Sequence, residues 1–144
     1  MKTKAFLLLC LFLGIALTQL SAQNGKNGSG NIKFDITVDN WAGPIFCEGV
    51  LVDFVTCSSL TIEVKVHYVN GVEIKGINKI KFQPVVSVKT GEVYLLHGYD
   101  HWSNVKGFDK ALLNLRGNKG DNISMHLTID LTTYEFVDIQ SNCH

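Results

Sequence analysis

The chain has 144 residues, 13 basic against 13 acidic side chains, and a formal net charge of zero. That length suits one domain, and the positive charges are scattered along the sequence without a phosphate-tracking run, which excludes nucleic acid as a natural partner. Hydrophobic residues make up 46 % of the chain, enough for a packed core.

Lys2 and Lys4 precede an apolar run from Ala5 to Leu17, followed by the smaller and more polar Thr18 to Ala22. This is the pattern of a signal peptide cleaved after Ala22. The run is about 13 residues, short of the roughly 20 that cross a bilayer. The expected mature chain has no membrane span and is secreted, periplasmic or held at the cell surface. Cys10 follows the bulky Leu9 in mid-run, the wrong setting for lipid attachment. Residues 23–31, QNGKNGSGN, contain no apolar anchor and read as a flexible leader. Asn27-Gly28-Ser29 there, and Asn122-Ile123-Ser124 later, are acceptor sequences only in a host that glycosylates them.

From residue 32 to 144 a single β domain is expected, because the apolar period is two. Ile32, Phe34, Ile36 and Val38 alternate with polar residues until Asn40–Pro44 interrupts. Val50–Val55 reads as a strand, and Leu60–Tyr68 as another. Asn70-Gly71 is a strong two-residue hairpin signal, since both central residues of a type I′ turn need positive φ. The return strand runs from Val72 to Phe82, with Gly76 as a candidate bulge and Pro84 as its end. Val85–Val88 and Glu92–Leu96 flank a turn at Lys89-Thr90-Gly91. Ala111–Arg116, Ile123–Leu131 and Tyr134–Ile139 complete the set. Eight or nine short strands with frequent turns predict an all-β antiparallel fold, a small barrel or else a two-sheet sandwich. Bulky residues at nearly every inward position favour a filled interior.

An exported chain meets oxidants, and Cys47, Cys57 and Cys143 remain after processing. Cys47 and Cys57 are joined by a strand-like segment. Ten extended steps span about 33 Å, against a Cα separation near 6 Å in a disulfide. Cys47–Cys143 is therefore favoured, and a loop of that length contributes about 4–5 kcal/mol in the chain-entropy model. Cys57 is then a buried free thiol.

Residues 120–132 read GDNISMHLTIDLT. Together with Cys47-Glu48-Gly49, Thr90-Gly91-Glu92-Val93-Tyr94 and a cysteine near the end, they give the chain a family resemblance. It resembles a group of small exported bacterial β-rich proteins. Those carry a cysteine near the mature N-terminus, a TGxxY hairpin, a GxxNFxxHxTxHxT strand and a final cysteine. Asn122-Ile123 stands for Asn-Phe, His126 and Thr128 match, and Asp130 stands where a second histidine is usual. The likeness covers roughly residues 47–143. It implies a β fold and a partnership of the two end cysteines, and it supplies no catalytic residue.

The stretch from Leu95 to Asn104, LLHGYDHWSN, concentrates the chemistry of the chain. His97 and His101 have zinc-like spacing on a helix, but in a strand a spacing of four puts the rings about 13 Å apart. Only a loop could bring them together with Asp100, so no metal ligand and no cofactor is assigned. Ser103 is too near His101 and Asp100 in sequence to form a convergent triad, and His126 and Asp130 are two pleats apart, so no catalytic residue is assigned either. Tyr94, Tyr99 and Trp102, with His97 and His101 and the loop residue Trp41, are expected to form an aromatic contact rim. The expected role is a monomeric, non-catalytic binding or cell-envelope interaction module for a glycan, a small apolar ligand or a surface protein. Two alternatives are a secreted hydrolase or isomerase using His97, His101 or His126 with a carboxylate, and a purely structural envelope protein. For Trp41 and Trp102 the reading favoured over a ligand platform is a hydrophobic plug at each end of the barrel.

Overall fold

A computed structural model describes residues 28–144. The segment read as a signal peptide and most of the leader lie outside the described residues. The described chain is one seven-stranded antiparallel sheet without a helix, its strands hydrogen-bonded in chain order. They are β1 (Gly30–Cys47), β2 (Val50–Val69), β3 (Val72–Ser87), β4 (Val93–Ser103), β5 (Phe108–Gly117), β6 (Asn122–Asp130) and β7 (Phe136–Cys143).

Seven long strands replace the expected eight or nine short ones, because several apparent breaks are carried through. Asn40 takes φ 53° within β1, and pairing resumes in the same register at Trp41↔Cys57. Pro44 is tolerated because β1 is an edge strand, so one side of it needs no ladder donor. Pro84 does not end β3. It pairs with Leu95 on one side, and on the other it falls where the β2–β3 ladder is interrupted, between Thr56↔Val86 and Ile62↔Ile80. Lys81 and Phe82, the latter at φ 25°, form a bulge opposite His97. Gly76 is not the bulge expected of it. It pairs regularly with Val66 and Trp102, and the extra residue is the nearby Ile74.

The turns are as tight as the periodicity requires. Asn70 and Gly71 both have positive φ, as a type I′ turn demands. Glu48 and Gly49 form a second turn of the same kind between Cys47 and Val50.

One face of the sheet is the core. Leu60, Ile62, Val64 and Val66 of β2 alternate inward and are almost completely buried, with Leu96, Leu115, Met125 and Leu127 from later strands. The sheet curls enough to bring the end of β1 onto β6 and β7. Cys47 and Cys143 form a disulfide with Cα atoms 5.7 Å apart. The Gly49 amide donates to Ser141 Oγ at 2.9 Å, and Phe46 meets Phe136 edge-on at 5.5 Å. No hydrogen-bonded ladder joins β1 to β7, so the sheet is not closed. Among the described residues Cys57 is the remaining thiol, and its partial burial pushes its pKa up.

Candidate functional site

The Leu95–Asn104 stretch is strand, not loop, as far as Ser103. Its inward set is Tyr94, Leu96, Gly98, Asp100 and Trp102, and its outward set is Val93, Leu95, His97, Tyr99 and His101. The six residues expected to share a rim are therefore divided. Tyr94, Trp102 and Trp41 are buried at 7 %, 4 % and 6 % exposure. Tyr94 donates its hydroxyl to Glu92 at 3.3 Å, and burial with the neighbouring carboxylates lifts its pKa to about 12. The Trp102 indole lies over Gly76, where any Cβ would run into the ring. On the other face Tyr99 and His101 touch edge to face at 5.2 Å, and His97 stacks obliquely on Phe82 at 4.7 Å.

What the fold assembles instead is a groove of about 550 Å³ at the Gly76–Trp102 end of the sheet. Strand pairing builds it in two adjacent rows on the face opposite the core. One row runs Asn31, His67, Lys75, Ser103, Phe108, and the other Lys33, Lys65, Ile77, His101, Lys110. All of these line the groove, with Lys106 from the β4–β5 turn. Between the two rows, Ile32, Val66, Gly76 and Trp102 also border the groove, although they belong to the row that faces the core. His101 and Trp102 are the two expected site residues found here. The lysines were not singled out in the sequence, where they lie on four strands and a turn. Their signal was the polar half of each two-residue alternation, and only the register turns it into a cluster. Asn31 Oδ1 and His67 Nδ1 are 3.0 Å apart at its edge. Beside it, Lys33 and Lys81 hold the Glu63 carboxyl down at about 2.

A second, smaller cavity of about 330 Å³ brings His97 and His144 to a polar lining with Asn114, Arg116, Ser124 and Asn142. His126 pairs with Leu112 and Gln140 farther along β6. Asp100 faces inward, away from His97 and His101. It belongs to a buried polar patch with its cross-strand partner Asn78 and with Asp109, which pairs with Trp102. Asp100 Oδ1 and Asp109 Oδ1 have no hydrogen-bond partner. Burial pushes both carboxyls up, Asp109 to about 6, and their mutual repulsion lifts Asp100 further. No group of three or more His, Cys, Asp or Glu arranged to hold a metal occurs among the described residues.

The Thr90-Gly91-Glu92-Val93-Tyr94 motif has a structural job. Ser87 Oγ donates to Asp53, Thr90 Oγ1 donates to Ser87, and the Glu92 amide donates to Thr90 Oγ1 at 3.2 Å. This chain locks the β3–β4 turn onto β2. Among the described residues no helix is long and apolar enough to cross a membrane. Comparison of the chain with family models, with curated proteins and with solved structures gives no match.

Proposed function

We propose that the protein is an exported, monomeric, non-catalytic binding module that meets its ligand in the groove at the Gly76–Trp102 end. The observation carrying this reading is the convergence of five strands on one cavity of about 550 Å³, within the roughly 300–1,000 Å³ common for small-molecule sites. Contact is favoured over hydrolysis by the placement of the histidines. General acid–base partners must come within hydrogen-bond reach, and Asp100 faces away from His97 and His101. Export is supported by the N-terminal apolar run and by the Cys47–Cys143 bridge, which suits an oxidising compartment. In this reading the curled sheet acts as a small barrel-like shell, stapled at one end and filled with side chains. The resemblance to small exported bacterial β-rich proteins with paired end cysteines accords with it.

The test is an amide-shift titration of the ¹⁵N-labelled protein with laurate, soluble cell-wall oligosaccharides and phospholipid vesicles. At least one probe is expected to move Ile77, His101, Ser103 and Phe108 together. Shifts confined to other surfaces, or none with any probe, would remove the groove as the contact site.

A further inference from the structure

We infer that the ligand of the groove is an anionic amphiphile, an apolar chain or ring system ending in a carboxylate, sulfate or phosphate. This rests on the groove being the contact surface. Two linings of different chemistry meet there. Ile77 and Phe108 supply apolar side chains on that face. Lys33, Lys65, Lys75, Lys106 and Lys110 supply positive charge, and no Asp or Glu is part of the lining.

The charge is a local concentration, since the chain as a whole is neutral. Glu63, an adjacent acid, is shared among Lys33 at 2.9 Å, Lys81 at 3.0 Å and Lys65 at 3.8 Å. Glu63 and its cross-strand partner Asp35 make two carboxylates among three ammonium groups, which leaves a positive excess. Lys75, Lys106 and Lys110 have no acidic side chain within ion-pair distance among the described residues. Lys110 Nζ stands 5.2 Å from the centre of the Phe108 ring, so cation and apolar surface are already joined at one point. An inorganic anion would leave the apolar lining wet, and a neutral apolar molecule would leave the like charges facing one another uncompensated. A molecule with both parts satisfies both linings.

Laurate and dodecanol differ only in the head group and make the decisive pair of probes. Titrated into the purified protein and followed by amide shifts, laurate is expected to bind in the groove at least tenfold tighter than dodecanol, with the difference shrinking as salt is raised. The double charge reversal Lys75→Glu/Lys110→Glu is expected to lose tenfold or more for laurate and little for dodecanol. The neutral pair Lys75→Gln/Lys110→Gln is expected to fall between, with an unchanged circular dichroism spectrum. Phosphatidylglycerol vesicles in parallel separate a membrane headgroup from a free fatty acid as the source of the anion. Equal groove binding of laurate and dodecanol, or indifference to the charge reversal, would overturn the anionic assignment and leave the groove as a binding site. Failure of both probes to shift groove residues would overturn the amphiphile assignment, and failure of the oligosaccharides and vesicles as well would strike the underlying reading.

Discussion

Asp109 is 1 % exposed, lies opposite Trp102, and leaves a carboxylate oxygen without a partner. Its cross-strand neighbours on the core face are Trp102 and Ile129, and those of Asp100 are Asn78 and Ala111. None of these is a counter-charge. The sign of the pH effect follows. A carboxyl whose folded pKa lies above its unfolded value binds its proton more tightly when folded. That stability is fully present below the unfolded value of about 3.9, and for Asp109 it is lost as pH rises through about 6. The melting temperature is expected to fall between pH 4.5 and 8, and Asp109→Asn should flatten that slope and raise stability at pH 8. A melting profile independent of pH over this range would contradict the argument. Gly98 gives a second expectation at this scale. A Cβ there would meet the Leu112 carbonyl oxygen, which is backbone and cannot rotate away. Gly98→Ala should destabilise by about 1–3 kcal/mol in urea titration, the cost of overpacking a tight site.

Among the elements, the β3–β4 turn depends on a relay of hydroxyls from Thr90 through Ser87 to Asp53. Thr90→Val keeps the shape but removes the donor to Ser87 and the acceptor for the Glu92 amide. A loss of about 1–2 kcal/mol is expected from equilibrium unfolding. The strands themselves were readable where alternation is unbroken, as in β6, whose Ile123, Met125, Leu127 and Ile129 are all buried. Reading failed where an inward position is polar or lacks a side chain. Gly98 and Asp100 interrupt the apolar period of β4, so the strand looked finished at Leu96. Glu48-Gly49 hid a two-residue turn, because glutamate is an unusual residue at positive φ. Asn40, Pro44 and Pro84 look like breaks but sit at an adjustable bend, a sheet edge and a ladder gap. The groove was legible only in part. His101 and Trp102 stood out by residue type, whereas Lys33, Lys65, Lys75 and Lys110 gain meaning only from a cross-strand register that no local window contains.

For the whole molecule, the curl of the sheet is held by apolar packing together with one covalent tie across 96 residues of chain. Removing it with Cys47→Ser/Cys143→Ser should lower stability by about 4–5 kcal/mol, less any relaxation of the unfolded chain. Comparing chemical denaturation of this variant with the parent, with and without reductant, checks the value. The parent should converge on the variant under reductant. The groove lies at the other end of the strands, so the variant should bind the same ligand wherever it remains folded.

That tie also decides how the protein answers to force. A pull applied between Gly30 and the last residue runs along β1, which is already an extended strand. At Cys47 the load passes directly through sulfur into Cys143 and never reaches the strands between. Of the whole sheet, only the leading strand carries the tension. The ladder from β2 to β7, and most of the lysine groove with it, is bypassed.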